Sequence, residues 1–181
     1  MSQFEEKTIQ SETIFKGKVI HVQVDTVELP NGNTSTRELV KHAGAVAVMA
    51  ITEANRMVLV RQYRKPLEKT ILEIPAGKLE PGEEPDHCAR REMEEETGYH
   101  AASLKQVRAF YTSPGFADEI LYLYEGTGLT RGKANPDEDE FVERVELTLD
   151  EAFAAMDAGE ICDAKTVAAL YLWKNKVLEG R

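Results

Sequence analysis

The sequence predicts an α+β fold with a largely mixed β-sheet, because apolar strand patterns stand on both sides of one polar central helix. The helix pattern covers residues 85–97, where carboxylates recur at helical spacing. Two further helix patterns follow residue 148 and end the sequence. At 181 residues, the chain has the length of one domain with a small appended element.

The first predicted element is an antiparallel β-hairpin. Residues 12–29 are rich in Val, Ile and Thr, and apolar and polar side chains alternate in their second half. Asn31-Gly32 follows, and this pair is a strong hairpin signal because both residues tolerate positive φ. Residues 34–40 are the expected returning strand. We therefore expect a β-hairpin region over residues 1–42, with a second domain over residues 43–181.

The second domain contains the other strand patterns. Residues 44–51 are a continuous apolar run, which predicts a strand covered on both faces. Four shorter patterns give the remaining predicted strands, at residues 57–63, 71–74, 104–111 and 120–124. Residues 126–140 are rich in Gly, Pro and Asp and predict a long loop, which in a compact domain is more often functional than idle.

Two helices are predicted at the end of the chain. Thr148 and Glu151 stand at the spacing of a capping box, so a helix should begin there and end near Gly159. Asp163 is the expected N-cap of the last helix, whose apolar residues line one face.

Composition excludes several functional classes. No run of about 18 apolar residues is present, and the polar N-terminus lacks the pattern of a signal peptide. The two cysteines form no CxxC motif, which favours a reducing cytoplasm. The net charge of −10 argues against a nucleic-acid-binding surface, although bound cations could still attract an anionic substrate. We expect a cytoplasmic protein that binds neither nucleic acid nor membrane.

The helix at residues 85–97 has an unusual acidic face. Pro85 suits its first turn and Gly98 its C-cap. Glu92, Glu95 and Glu96 share one face, where each pair of like charges destabilises a helix by about 0.2–0.5 kcal/mol. A divalent cation such as Mg²⁺, which prefers oxygen ligands, would compensate that repulsion. The alternative is an ordinary solvated acidic face.

Around this helix the chain resembles the Nudix family. Gly77, Glu83 and residues 91–99 (REMEEETGY) stand at the spacing of the family's signature, with Tyr99 where an aliphatic residue is usual. The resemblance implies a mixed β-sheet/α-helix sandwich. It also implies hydrolysis of a nucleoside diphosphate linked to another moiety, with two or three Mg²⁺ or Mn²⁺ ions.

The resemblance implies roles for the signature residues. The metal ligands would be the Ala76 carbonyl, Glu92 and Glu96. Glu95 would be a further ligand or would orient a water molecule at the metal. Four residues would be structural, with an ion pair between the second and third of them: Gly77, Glu83, Arg91 and Gly98.

Features outside the signature resemble the ADP-ribose pyrophosphatase branch of the family. Pro114 stands about fifteen residues beyond the signature, a position typical of that branch. Residues 61–64 and 72–78 match it as well. The resemblance implies a homodimer that cleaves ADP-ribose to AMP and ribose 5-phosphate. Two alternatives stay open: a Nudix hydrolase for another nucleotide sugar or a dinucleotide, and a non-catalytic nucleotide-sensing module.

The same resemblance implies the substrate contacts. Arg64 would contact a phosphate or the adenosine unit, and Glu119 the terminal ribose or a metal. Phe15, Arg37 and Glu38 would reach the adenine bound by the partner subunit. The alternatives are an ordinary strand-end charge at Arg64 and packing or solvated positions in the hairpin.

Two acidic residues of the long loop would complete the site. Glu138 resembles the general base and Glu140 a metal ligand, although a small slip in alignment exchanges these roles. A loop that closes over the site would explain the distance along the chain between this base and the carboxylate helix. The alternative is an acidic loop tip.

Overall fold

The computed structural model describes residues 3–135 and 141–180. The elements, in chain order, are β1 (Lys7–Lys16), β2 (Ile20–Glu28), β3 (Thr34–His42), β4 (Ala45–Ala50), β5 (Met57–Arg64), β6 (Lys69–Glu73), β7 (Ala76–Lys78), α1 (Pro85–Thr97), β8 (Tyr99–Tyr111), β9 (Ile120–Arg131), β10 (Glu143–Leu147), α2 (Leu149–Asp157) and α3 (Ala164–Leu178). This order confirms the predicted α+β class. No described helix is both long and apolar enough to span a lipid bilayer.

The strands form three sheets, with the orders β1-β2-β3, β10-β5-β6 and β7-β4-β9-β8. In the last of these, β4 pairs with β9 in parallel and with β7 antiparallel. The sheet is therefore mixed, as the sequence predicts. Strand β4 is buried along its whole length, which agrees with its unbroken apolar sequence.

The chain divides into two compact units. The first comprises Met1–Gly44 and Phe110–Ile120, and it contains the sheet β1-β2-β3. Gly32 has φ of 81° in the turn between β2 and β3, consistent with the predicted hairpin. A third strand precedes this hairpin, because Gly17 N donates to Ile20 O (2.9 Å) and turns the chain back. Periodicity did not reveal this extra strand, since every residue of β1 is exposed.

The second unit comprises Ala45–Ala109 and Leu121–Arg181. Helix α1 packs against β4, β5 and β7. Its apolar residues Cys88, Ala89 and Met93 join a buried cluster with Val46 and Val48 of β4. The few apolar residues of α1 are thus enough to fix which face of the helix points away from solvent.

Three helix ends agree with their predicted capping signals. Gly98 follows α1 with φ of 70°, and its N–H donates to Glu94 O. Thr148 and Glu151 form the reciprocal capping box of α2. Asp163 accepts from Thr166 N at the start of α3.

The long loop was predicted to begin too early. Strand β9 continues to Arg131, and β10, which the sequence analysis did not identify, begins at Glu143. Strand β10 reads ERVEL, so its charged residues hide the strand pattern. It forms because β5 offers an antiparallel partner, with Val145 opposite Leu59. Tertiary pairing overrides weak local preference here.

Candidate functional site

The acidic face of α1 lies against the turn that follows β6. Glu92 and Glu96 are 9% and 4% exposed, and Glu95 is half-buried. Ala76 N donates to Glu96 Oε2 (3.0 Å), so this carboxylate is tied to the start of β7. The predicted ligands Ala76, Glu92 and Glu96 therefore come from two elements that pack against each other. Buried carboxylates are rare without compensating groups, so this is not a solvated acidic face.

Gly77 makes the close approach of Glu92 possible. A Cβ at this position would lie 1.8 Å from both Cδ and Oε1 of Glu92. Any side chain at position 77 would therefore displace the carboxylate. The need for glycine here is steric, since its backbone is not in the left-handed region.

Arg91 links the acidic groups of the site. Its Nε and Nη2 both donate to Glu83 at 3.0 Å, and its Nη1 donates to Glu92 (2.8 Å) and Glu95 (3.1 Å). These hydrogen bonds lower the pKa of Glu83 to about 2 and raise the pKa of Arg91. One guanidinium thus offsets part of the repulsion among three carboxylates.

The donors around α1 suit a hard divalent cation. Among residues 3–135 and 141–180, no three carboxylate, imidazole or thiol groups converge closely enough to hold an ion by themselves. Mg²⁺ does not need such a cage, because it binds through one or two carboxylates, a few waters and substrate phosphates. Glu92 and Glu96 supply the carboxylates, and the turn at Ala76 supplies a main-chain carbonyl. The residues present fit the cation.

Two polar residues of β5 face the same region. Gln62 Nε2 donates to Glu96 Oε1 (3.3 Å), and Arg64 Nε donates to Glu73 Oε2 (2.6 Å). Gln62 had no predicted role. Its position two residues before Arg64 was the available signal, because residues i and i+2 of a strand share a face.

The C-terminal end of α1 anchors both sides of the long loop. Asn135 N donates to Glu95 O (2.9 Å), and Gly132 N donates to Gly98 O (2.6 Å). On the far side of the loop, Arg144 Nη1 donates to Thr97 O (2.7 Å). Arg144 had no predicted role. The predicted base and ligand, Glu138 and Glu140, lie outside the described residues.

The other predicted substrate residues belong to the first unit. Phe15 on β1 is 56% exposed, and Glu38 on β3 is exposed. Arg37 donates to Glu6 through Nε (2.7 Å), and Glu119 accepts from Thr112 Oγ1 (2.5 Å). The segment with Glu119 also contains Pro114, and it is joined to β3 within this unit by Val40 N, which donates to Phe116 O (2.8 Å).

Comparisons with known proteins identify two matching families. The family model described as NUDIX domain matches residues 41–170. The model described as nucleoside diphosphate sugar hydrolase N-terminal domain matches residues 6–40. Together they span nearly the whole chain.

Two relatives match along nearly the whole chain. The chain is 58% identical to the methanol dehydrogenase activator of Bacillus methanolicus, over 98% of both chains. It is 54% identical to the ADP-ribose pyrophosphatase of Bacillus subtilis (strain 168), over 100% of both chains. A crystal structure of an ADP compounds hydrolase superposes with a TM-score of 0.84 at 22% identity, covering 97% of this chain and 95% of that one. At that identity, the superposition establishes the shared fold.

Proposed function

The chain belongs to the Nudix family, and from that premise we propose that it hydrolyses the diphosphate linkage of ADP-ribose to AMP and ribose 5-phosphate. One observation carries the proposal. Glu92 and Glu96 are buried on one face of α1, against the turn at Ala76 and Gly77, where an oxygen-rich cation site would form. A full-length relative named ADP-ribose pyrophosphatase supports the choice of substrate.

The cation site would consist of Glu92, Glu96 and the Ala76 carbonyl. We propose Mg²⁺ or Mn²⁺, in two or three copies, as the natural cations. When bound, they supply Lewis-acid chemistry by neutralising and polarising the diphosphate. Before binding, Arg91 holds Glu92 and Glu95, while Ala76 N and Gln62 Nε2 hold Glu96. These contacts orient the carboxylates in advance, which reduces the reorganisation needed at the moment of reaction.

The attacking water needs a proton acceptor. We propose Glu138 as the general base and Glu140 as a further cation ligand, and the opposite assignment remains the alternative. Glu95 would orient the water, since it is only half-buried and its carboxylate is held by Arg91 alone at 3.1 Å among the described residues. Proton transfer by a positioned carboxylate contributes about 10²–10⁴-fold to such reactions.

Five residues are proposed to bind the substrate. Arg64 would contact a phosphate or the adenosine unit, and Glu119 would contact the terminal ribose or a cation. Phe15, Arg37 and Glu38 would contact the adenine held by the partner subunit of a homodimer. In this proposal, residues 1–42 form the dimer interface and contact the adenine, and residues 43–181 carry out the hydrolysis. A cytoplasmic location remains a prediction from cysteine usage.

A comparison of substrates tests the proposal. Purified protein with Mg²⁺ is assayed against ADP-ribose, GDP-mannose, NADH and diadenosine polyphosphates. We expect ADP-ribose to give the highest kcat/KM, with AMP and ribose 5-phosphate as products. A higher kcat/KM for any of the other compounds would show that ADP-ribose is not the preferred substrate, while the assignment as a Nudix hydrolase would stand. Absence of turnover with every compound would favour the nucleotide-sensing alternative.

The relative from Bacillus methanolicus supports a second candidate function. Because 58% identity extends over 98% of both chains, this chain is a candidate activator of a methanol dehydrogenase. The test compares the rate of methanol oxidation by such an enzyme with and without the chain. An increase that Glu96→Gln abolishes would tie the activation to hydrolysis at the same site, and an unchanged rate would remove this candidate.

A further inference from the structure

Arg64 belongs to a partly buried ion-pair network, and no member of this network is part of the Nudix signature. Glu73, at the end of β6, has a side chain only 4% exposed. Its Oε2 accepts from Arg64 Nε (2.6 Å), and its Oε1 accepts from Lys165 Nζ (2.5 Å). Each carboxylate oxygen of Glu73 is thus occupied by a different cation.

Lys165 stands where an unpaired lysine would be unfavourable. It is the second residue of α3, near the positive end of the helix dipole, and its side chain is 11% exposed. Asp163, the N-cap, partly compensates by accepting from Lys165 Nζ (2.8 Å) and Thr166 N (3.1 Å) through Oδ1. Such a placement depends on Glu73 and Asp163, so α3 is specifically docked at the end of β6.

The same helix turn fixes the strand end that leads to Ala76. Thr166 is fully buried, and its Oγ1 accepts from Ile74 N (3.0 Å). Lys165 and Thr166 therefore hold the side chain of Glu73 and the main chain that follows it. The network has little freedom to move relative to the turn at the carboxylate helix.

Arg64 has only one point of contact with this network. Its Nε pairs with Glu73, while its two Nη groups have no partner among the described residues, and the side chain is 39% exposed. A guanidinium that meets a carboxylate with both oxygens accessible tends to form a two-point pair. Here Oε1 already accepts from Lys165 Nζ, which disfavours the two-point pair and leaves the Nη groups available for an anion.

We propose that Lys165 and Glu73 are positioning residues that hold the Arg64 guanidinium with its Nη groups directed at a substrate phosphate. This inference rests on the proposed function, because it takes the phosphate of a nucleoside diphosphate as the anion. Removing Lys165 frees Oε1, and Arg64 then turns into a two-point pair with Glu73. The substrate loses hydrogen bonds although Arg64 itself is still present.

The test is a double-mutant cycle between Lys165→Met and Arg64→Met, measured with ADP-ribose and Mg²⁺. We expect Lys165→Met to raise KM about tenfold with a smaller effect on kcat, and to change KM little when Arg64→Met is already present. Lys176→Met is the matched control, since it breaks a lysine–glutamate pair between the same helix and Glu125 of β9. The control should leave KM unchanged.

A second variant provides the test if Lys165→Met does not fold. Glu73→Gln keeps the side-chain shape and removes the charge that holds Arg64, so it should show the same dependence on Arg64. The inference is overturned if Lys165→Met and Glu73→Gln change KM by the same factor in the Arg64→Met background as in the wild type. Such independence would show a role in folding or packing only. Equal KM values for wild type, Lys165→Met and Glu73→Gln would also overturn it.

Calorimetric titration with ADP separates this inference from the proposed function. If the wild type binds ADP but hydrolyses no ADP-ribose, the proposed function fails. The double-mutant cycle is then measured with the Kd of ADP instead of KM. A wild type that binds neither compound overturns the inference as well, since no phosphate then reaches Arg64.

Discussion

Glu92, Glu95 and Glu96 of α1 have three different surroundings, although they lie within five residues of each other in the sequence. Glu96 accepts from Ala76 N and Gln62, Glu92 packs on Gly77, and Glu95 is held by Arg91. Helical spacing predicted that they share a face. It could not predict their separate partners, because Gln62 and Gly77 come from strands that only the tertiary fold brings close.

Arg91 also determines how the site responds to acid. Its hydrogen bonds lower the pKa of Glu83 from 4.5 to about 2, so Glu83→Gln should reduce the free energy of unfolding by about 2–3 kcal/mol at pH 7. Because the folded-state pKa is the lower one, this contribution is complete above about pH 4.5 and is lost as the pH falls through about 2. Urea unfolding at pH 7 and pH 3 measures it.

The control for Glu83→Gln is Glu84→Gln, which changes a neighbouring exposed glutamate whose side chain makes no capping hydrogen bond. We expect a smaller loss of stability from the control at both pH values. The difference in free energy of unfolding between wild type and Glu83→Gln should be smaller at pH 3 than at pH 7. A gap of equal size at both pH values would contradict the assigned role of Arg91.

At the scale of elements, the ends of helices were predictable and the late strand pairing was not. Gly98, Thr148 and Asp163 marked helix ends through local chemistry, and each has the predicted capping role. Strand β10 depends on β5, which lies more than 75 residues earlier in the chain. The attachment of Arg144 to Thr97 likewise joins residues that are 47 positions apart. Local patterns contain no information about such pairs.

Gly98 has two structural roles, and a comparison with Gly82 can separate their contributions to stability. Besides ending α1 in the left-handed region, it lies so close to the loop that an added Cβ would be 2.5 Å from Ala134 N. Gly82 has a similar φ of 82° with nothing within 4 Å of its Cβ position. Both Gly→Ala variants should lose about 1–2 kcal/mol for the backbone conformation.

Gly98→Ala should lose about 1–3 kcal/mol more, since it also forces the loop away from the helix. Thermal unfolding of both variants measures this difference. Equal destabilisation of Gly98→Ala and Gly82→Ala would show that the contact with residues 133–134 contributes nothing.

At the scale of the whole molecule, an exposed apolar strand distinguishes the first unit. Ile9, Ile14 and Phe15 on β1 are 55%, 56% and 56% exposed. Large exposed apolar side chains concentrated on one strand are typical of interaction surfaces. We predict a homodimer that buries β1, and sedimentation velocity at micromolar concentration should give twice the mass of 20.3 kDa.

Ile14→Asp should weaken this dimer by introducing a charge on the buried strand. Leu178→Asp is the control, because Leu178 is 76% exposed at the end of α3 in the second unit. The control should sediment as wild type does. A wild-type monomer at micromolar concentration would remove both the dimer and the adenine contacts proposed across it.

The central claim is that one face of α1 is the cation-binding part of a hydrolytic site. Comparing kcat of Glu96→Gln and Glu94→Gln for ADP-ribose with Mg²⁺ tests it most directly. Glu94 lies on the same helix, and its Oε1 is 2.9 Å from His100 Nδ1. We expect Glu96→Gln to lower kcat by about 100-fold or more, and Glu94→Gln to stay within about twofold of wild type. Wild-type kcat in a folded Glu96→Gln variant would contradict the claim.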